Sequence, residues 1–368
     1  MKKTLRPNEI PELRVLGRTD ASRHPLTLFW TASGIEMNVR ARELWITVDV
    51  DYQLFEPWID IVIDGCLSQR LMLTKGQSEI CVLRVLDGTK VRNVRILRDT
   101  QAMSGDRRTR LQILSVTTNG TFEPLPEPAM RLEFIGDSIT SGEGCCGAHD
   151  ENDWIPGVFS CINNYSFMTA EALHAEYRVL SQSGWGIYCG YDGHPDHALP
   201  PYYAKVCGLM QGEQHESLGA QLPWDFTQWQ PDAVIINLGT NDAGSFSNAG
   251  QLIPFTAIKN PMRVNEDGSM NEEDRMAIEN AALRFLRLLR ACNPHAQLIW
   301  ALGMLGDQMI PTVRNAIARF KEETGDEKAE FLLLPPTREG EYGSRQHPGL
   351  PAHRHAAEVL TARLKELL

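Results

Sequence analysis

Apolar and polar residues alternate along the first third of the chain. Within residues 42–52, Ile46, Val48 and Val50 alternate with polar or charged residues. A period of two predicts a β-strand with one buried face. Similar stretches recur at roughly ten-residue spacing; they span residues 57–66, 78–88, 91–100 and 110–120. This series predicts a β-sandwich or jelly roll over residues 1–121.

Turn signals separate these predicted strands. Asp64-Gly65 and Asp87-Gly88 are each typical of a two-residue β-hairpin. Residues 122–129 contain three prolines, which favour a stiff linker. The sequence therefore predicts an N-terminal domain that ends at this linker and a second domain over residues 130–368.

The pattern changes after the linker, where short and nearly continuous apolar runs alternate with helical stretches. The clearest helices are predicted over residues 271–294, with Asn271 as a cap, and over residues 351–368. Continuous apolar runs are typical of parallel strands that are covered on both faces. The runs span residues 131–135, 177–184, 232–239, 297–303 and 330–335. This α/β alternation predicts a doubly wound parallel sheet, with its ligand site at the carboxyl ends of the strands.

Composition and charge narrow the choice of partners. The formal net charge of −11 and the absence of a basic run argue against a nucleic-acid binder. No run approaches the roughly 18 apolar residues of a membrane span, and the N-terminus lacks the apolar core of a signal peptide. We therefore expect no membrane partner and a cytoplasmic location. The eight cysteines show no zinc-ligand spacing, so we expect free thiols, no metal and no cofactor.

Four residues remote in sequence follow predicted strands or precede the last helix: Ser138, Gly184, Asn241 and His347. A doubly wound sheet brings strand ends to one edge, so these residues can meet there. A serine hydroxyl becomes a nucleophile when a base such as histidine takes its proton. Backbone N–H groups of Ser138 and Gly184 and the amide of Asn241 are the donor types that stabilise an oxyanion. The set favours acyl transfer.

Each of these residues also has a purely structural interpretation. Ser138 could cap a helix, and Asn241 could form a turn after its strand. Asp137 and Asp242 are expected to organise loops rather than to catalyse. His353 and His355 are expected on the surface of the last helix. The ordered set of four positions favours Ser138 as a nucleophile over Ser138 as a cap.

The four positions resemble a known superfamily. The segment GDSIT at 136–140, Gly184, the segment GTND at 239–242 and the late His347-Pro pair resemble the four blocks of the SGNH (GDSL-type) hydrolases. The resemblance covers about residues 130–368. It implies a flavodoxin-like fold, with Ser138 as nucleophile, His347 as base, and Gly184 and Asn241 as further oxyanion donors.

A narrower resemblance rests on the N-terminal sandwich and on SGWGI at 183–187. Both are similar to features of the family two carbohydrate esterases, which deacetylate plant polysaccharides such as xylan and glucomannan. A family-seventeen-type mannan acetylesterase is the competing subfamily. SGNH hydrolases usually carry an aspartate three residues before the histidine, whereas this chain has Ser344. The resemblance to family two then implies a Ser–His dyad held by a backbone carbonyl, with Glu341 or Asp307 as remote substitutes for the acid.

The expected function is a serine esterase that removes acetyl groups from oligosaccharides of plant polysaccharide. Aromatic residues near the predicted edge could stack on sugars or could simply pack in the core; they are Trp154, Trp185, Tyr188 and Trp300. The N-terminal domain either walls the site or helps to form a homo-oligomer. The alternatives are a lipase or thioesterase on the same fold and an inactive carbohydrate-binding protein.

Overall fold

Two antiparallel sheets account for the strands of the N-terminal region in the computed structural model, which describes residues 2–20 and 24–368. One sheet has the order β1-β10-β5-β8, with β3 beside β10, and the other has the order β11-β4-β9-β6-β7, with β2 beside β4. Strands β1 to β11 span Lys3–Leu5, Arg14–Leu16, Leu26–Thr27, Gly34–Arg40, Glu43–Asp51, Trp58–Ile63, Cys66–Met72, Gly76–Arg84, Val91–Arg98, Arg110–Thr118 and Thr121–Glu123.

Alternation along the strands builds the shared core of these sheets. Ile46, Val48 and Val50 on β5 are buried, while their neighbours are partly exposed. They pack in one cluster with Ile35 and Ile96 of the other sheet, so two sheets enclose a common apolar layer. The predicted β-sandwich is confirmed.

The two predicted hairpin turns have different outcomes. Asp64 and Gly65 join β6 to β7 and both have positive φ, of 51° and 80°, as a type I′ turn requires. Asp87-Gly88 does not close a hairpin. Strands β8 and β9 on either side of it belong to different sheets, so this prediction is wrong. A local turn signal does not reveal that the chain crosses from one sheet to the other.

A buried carboxyl pair lies within the sandwich. Asp60 and Asp99 are both fully buried. The Oδ2 atom of Asp99 accepts a hydrogen bond from Nε of Arg70 at 2.7 Å, and its Oδ1 accepts from the N–H of Cys161 at 2.6 Å. Burial and the neighbouring negative charge of Asp99 raise the pKa of Asp60 to about 9. This shift favours the protonated form of Asp60.

Replacing Asp60 with asparagine is expected to flatten the fall in stability with pH between the ordinary pKa of 3.8 and the folded pKa of about 9. The folded pKa of Asp60 exceeds its ordinary value of 3.8, so the folded state binds the extra proton and stability falls as pH rises towards about 9. Asparagine keeps a neutral donor beside Asp99 without titrating. Thermal unfolding at pH 5, 7 and 9 measures the effect, with Asp267→Asn in an exposed turn as control. Parallel curves for Asp60→Asn and the parent would contradict the prediction.

The second region contains a five-stranded parallel sheet in the order β13-β12-β14-β15-β16, which is the flavodoxin-like order. The doubly wound sheet is therefore confirmed. Strands β12 to β16 span Arg131–Gly136, Glu176–Ser181, Ala233–Asn237, Gln297–Leu302 and Ala329–Leu333. Helices α1 to α7 span Ser138–Ser141, Tyr165–Ala172, Glu213–Ser217, Thr240–Ser247, Glu272–Cys292, Ile310–Thr324 and Leu350–Leu367.

Helix α5 shows how the sequence specifies its ends. Asn271 caps it by accepting hydrogen bonds from the N–H groups of Glu273 and Asp274, and acidic residues fill its first turn. This cap was predicted from the sequence. Among the described residues, no helix combines the length and apolar character needed to cross a bilayer.

Contacts divide the chain into two units. The first comprises Met1–Pro128, Asp153–Ile162 and Ala204–Trp224, and the second comprises Ala129–Asn152, Asn163–Tyr203 and Asp225–Leu368. The first unit holds the sandwich and α3, and the second holds the parallel sheet with the other helices. Two segments that follow the linker in sequence thus belong to the unit of the sandwich.

Candidate active site

Ser138 lies two residues beyond the end of strand β12, at the first position of α1. Asp137 is the cap of this helix, because its Oδ1 atom accepts a hydrogen bond from the N–H of Ile139 at 3.0 Å. Gly136 is required before it, since a Cβ there would lie 2.0 Å from Oγ1 of Thr140. The interpretation of Ser138 as the cap is therefore wrong, and its hydroxyl is available for another partner.

That partner is His347. Its Nε2 atom lies 2.9 Å from Oγ of Ser138, and its Nδ1 atom lies 3.0 Å from the carbonyl oxygen of Arg345. A carbonyl oxygen only accepts, so Nδ1 must donate its hydrogen and Nε2 is left free to accept the Ser138 proton. This tautomer is the one that a general base requires.

The residue at the usual acid position and one of its two considered substitutes have other partners, and the second substitute is exposed. Ser344 is buried and its hydroxyl donates to the carbonyl of Cys146 at 2.8 Å. Glu341 lies 3.4 Å from Nδ1 of His355, and Asp307 is exposed. The group in contact with Nδ1 of His347 is thus a backbone carbonyl.

His353 is not on the surface as expected. It is fully buried, stacks on Tyr165, and accepts a hydrogen bond from the N–H of Tyr165 at 3.2 Å. Burial lowers its pKa to about 3, so it is neutral. The helical pattern misled the prediction because His353 lies on the inner face of α7.

Asn241 connects the first two blocks of the site. Its Nδ2 atom donates to the carbonyl of Trp185 at 2.9 Å and to Oδ2 of Asp137 at 3.2 Å. Trp185 adjoins Gly184 in sequence, and Asp137 adjoins Ser138, so the three residues expected to donate lie close together. Within residues 2–20 and 24–368, no acceptor contacts the backbone N–H of Ser138 or Gly184.

The loop after Gly184 is held in place by one carboxylate. Gly184 has φ of +79°, and its carbonyl accepts a hydrogen bond from the N–H of Tyr191 at 3.0 Å. Buried Asp242 accepts hydrogen bonds from the N–H groups of Ile187, Tyr188 and Cys189. Asp242 therefore fixes the loop beside Asn241, which agrees with the structural role expected for it.

Burial also raises the pKa values of two carboxyl groups in this site. It raises the pKa of Asp137 to about 7, with nearby Asp242 and Glu143 adding to the effect. It raises the pKa of Asp242 to about 6, although three backbone hydrogen bonds oppose the shift. Both carboxyl groups are held by short backbone contacts, which is consistent with the organising roles predicted for them.

The aromatic residues singled out in the sequence have different surroundings. Trp185 is largely buried and stacks on His197 at 5.3 Å, whereas Tyr188 is 40% exposed. Trp300 is fully buried and its indole N–H donates to the carbonyl of Leu238, so it offers no face to a sugar and its assignment as a contact is wrong. Trp154 belongs to the first unit, where it packs edge-on against aromatic neighbours.

Three residues near the site were missed by sequence reasoning. Buried Glu143 binds the side chain of Arg345, whose carbonyl holds His347. Tyr191 is 48% exposed, and its ring lies 3.2 Å from where a Cβ on Gly184 would be. The only sequence signal for them is proximity to the four blocks.

One cluster of metal-ligand types occurs among the described residues, at Asp60, Asp99 and Cys161. It belongs to the sandwich and contains the carboxyl pair described above. Both carboxylate oxygens of Asp99 already accept hydrogen bonds there. The geometry at Ser138 and His347 holds no comparable group of ligands.

Residues 134–332, just over half of the chain, match the GDSL-like Lipase/Acylhydrolase family. A solved acetyl xylan esterase, Est2A from the rumen bacterium Butyrivibrio proteoclasticus, is 42% identical over 100% of this chain and 98% of that one, with a TM-score of 0.97. A family two carbohydrate esterase from Clostridium thermocellum shares the fold at 23% identity, with a TM-score of 0.78 over 96% of this chain and 98% of that one.

Curated relatives are more distant in sequence. The cellulase/esterase CelE of Acetivibrio thermocellus is 27% identical over 92% of this chain, which spans only 37% of that protein. An acetylxylan esterase / glucomannan deacetylase of Cellvibrio japonicus is 24% identical over 97% of this chain and 89% of that protein. The chain therefore belongs to the GDSL-like lipase/acylhydrolase family, and it is an esterase with the fold of the family two carbohydrate esterases.

Proposed function

We propose that this esterase removes O-acetyl groups from oligosaccharides of xylan or of mannan and glucomannan, through an acetyl-serine intermediate. The observation that carries the proposal is the 2.9 Å contact between Oγ of Ser138 and Nε2 of His347. It occurs in a chain that is 42% identical, over its whole length, to an acetyl xylan esterase. The glucomannan deacetylase among the relatives supports the second substrate class.

In the first half of the proposed reaction, His347 takes the hydroxyl proton of Ser138 at Nε2. The freed oxygen attacks the acetyl carbonyl, and the carbonyl becomes an oxyanion. The backbone N–H groups of Ser138 and Gly184 and the amide of Asn241 stabilise that charge. The Nδ2 atom of Asn241 makes two contacts, and the longer one, of 3.2 Å, is to Asp137. In the proposed reaction, the hydrogen of this longer contact turns from Asp137 to the oxyanion.

In the second half, the oxyanion collapses and the bond to the sugar oxygen breaks. His347 returns its proton to that oxygen, so the sugar leaves as an alcohol and acetyl-serine remains. A water molecule then loses a proton to His347 and attacks the acetyl group. The same donors stabilise the second oxyanion, and the release of acetate regenerates Ser138 and neutral His347.

For the sugar, we propose contact with the exposed aromatic residues of the loop that follows Gly184. Tyr188 and Tyr191 expose 40% and 48% of their surface, and aromatic faces suit the C–H faces of a pyranose. Trp185 is buried against His197 and Tyr202 and supports the loop rather than offering a full face.

Acetate release from defined oligosaccharides tests the proposal. The parent protein and Ser138→Ala are incubated with acetylated xylan and glucomannan oligosaccharides, and mass spectrometry follows the loss of acetyl groups. We expect release by the parent and none above background by Ser138→Ala. Ser141→Ala is the matched control, because this buried hydroxyl on the same helix bonds to Ser181 and not to His347.

Other outcomes would contradict parts of the proposal. Equal release by the parent and Ser138→Ala would remove Ser138 from the mechanism. Absence of release from both oligosaccharides, together with Ser138-dependent hydrolysis of long-chain acyl esters or thioesters, would favour the lipase or thioesterase alternative. The expected cytoplasmic location and homo-oligomer remain proposals, to be tested by cell fractionation and sedimentation.

A further inference from the structure

Arg345, whose carbonyl oxygen holds His347, has an unusual backbone conformation. Its φ and ψ angles are 55° and 27°, in the left-handed region that side chains other than glycine rarely adopt. The conformation points its carbonyl at Nδ1 of His347, at 3.0 Å. A strained residue of this kind persists only where its surroundings hold it firmly.

Three further contacts hold Arg345. Its N–H donates to the carbonyl of Glu151 at 2.7 Å, and its Nη1 donates to the carbonyl of Asn152 at 2.6 Å. Its Nε donates to Oε1 of Glu143 at 2.7 Å. Both the backbone and the guanidinium group are therefore fixed, and the carbonyl that orients His347 is fixed with them.

Glu143 also faces the reacting nitrogen directly. It is 2% exposed, and its Oε1 atom lies 3.9 Å from Nε2 of His347. Two glycines allow the close approach. A Cβ on Gly144 would lie 2.6 Å from Cβ of His347, and a Cβ on Gly343 would lie 1.8 Å from the carbonyl oxygen of Gly144.

The charges of this pair matter when His347 becomes positive. An unpaired Arg345 would repel the imidazolium, and an unpaired Glu143 would attract it, the more so because Glu143 is buried. Bound to each other, the two side chains add no net charge beside His347. Titratable groups that interact electrostatically with the pair include Asp137 on the first block and Tyr191 on the loop, and neutral His353 on α7 faces His347.

We propose that Glu143 and Arg345 form a charge-balanced pair of positioning residues that orients His347 in place of the usual triad aspartate. Arg345 presents the carbonyl that fixes the imidazole, and Glu143 holds Arg345 while compensating its charge. The proposal rests on the assigned role of His347 as the base. It places the carboxylate of the site on the Nε2 side of the imidazole rather than on the Nδ1 side.

Rates of 4-nitrophenyl acetate hydrolysis against pH test the proposal. In Arg345→Gln, the uncompensated carboxylate favours protonated His347, so the acid limb of kcat/KM is expected to move to higher pH by about one unit. In Glu143→Gln, the uncompensated guanidinium opposes protonation, so the limb moves to lower pH. Each variant is expected to lose up to about 100-fold in kcat, because the imidazole is less well positioned.

Two more variants distinguish the effect of charge beside His347 from the effect of how its imidazole is positioned. The double variant Glu143→Gln with Arg345→Gln is expected to return the acid limb to that of the parent while kcat stays low. Arg345→Lys keeps the charge, so its limb is expected to match the parent with a smaller loss of kcat. Glu279→Gln is the control, because Glu279 is a similarly buried partner of Arg319 on another pair of helices.

Shifts of both single variants in the same direction, or no shift in either, would overturn the proposal and leave the pair a merely structural role. This result is distinguishable from failure of the proposed function. In the latter case, Ser138→Ala would hydrolyse 4-nitrophenyl acetate as fast as the parent, whatever the pH profiles of the Glu143 and Arg345 variants.

Discussion

Replacing His347 with glutamine is expected to lower kcat for acetyl ester hydrolysis by about four to six orders of magnitude. Glutamine can keep a hydrogen bond to the carbonyl of Arg345, but it cannot take the proton of Ser138 at neutral pH. Without that transfer, Oγ remains a weak nucleophile and the leaving sugar receives no proton. KM should change little, because His347 acts on the reaction rather than on sugar binding.

Initial rates with an acetylated oligosaccharide measure this loss, and circular dichroism confirms that the variant is folded. His355→Gln on α7 is the control, since His355 pairs with Glu341. It should retain a rate within a few-fold of the parent. A His347→Gln rate within about ten-fold of the parent would show that another group serves as the base.

Replacing Asn241 with alanine is expected to lower kcat by about 100- to 1,000-fold. The amide is one of three donors that converge on the oxyanion in the proposed reaction, and a donor of this type acts chiefly in the transition state. KM should therefore stay close to that of the parent. Alanine also removes the bond to the carbonyl of Trp185, so part of the loss can reflect a looser loop.

Two measurements distinguish these contributions. Thermal unfolding reports loosening of the structure, and rates taken well below the unfolding temperature report the chemistry. Asn248→Ala, which removes a partly buried amide bonded to the carbonyl of Tyr191 just after the same helix, is the control for loosening of the loop. A fall in kcat/KM that comes only from a rise in KM would argue that Asn241 binds substrate instead of stabilising the oxyanion.

Much of the fold follows from local patterns. The period of two on β5 and the continuous apolar runs of β12 to β16 indicated the strands. Burial on one face requires alternating apolar residues, and burial on both faces requires a continuous apolar run. No comparable pattern shows which of the two sheets a strand joins. The crossing at Asp87-Gly88 was missed for that reason, although its turn residues are the same as those at Asp64-Gly65.

Some features of the candidate site could likewise be predicted from local patterns, and others could not. Ser138, Gly184 and Asn241 could be predicted to lie close together because each follows a strand that ends at one edge of the sheet, and His347 could be added because it precedes the last helix. The support of His347 could not be predicted, because it depends on a left-handed backbone conformation at Arg345 that no sequence pattern specifies. Burial was also misjudged for Trp300, an aromatic residue near the predicted edge, and for His353 on the last helix, because both side chains face inwards.

The contacts around His347 form a closed ring of four residues. Ser138 is hydrogen-bonded to His347, and His347 is hydrogen-bonded to the carbonyl of Arg345. The side chain of Arg345 binds Glu143, and the N–H of Glu143 donates to the carbonyl of Ser138 at 3.0 Å. A displacement of the segment that carries Ser138 and Glu143 therefore also displaces Arg345, whose carbonyl orients His347. Small rigid motions of this segment should leave the distance from Oγ to Nε2 almost unchanged.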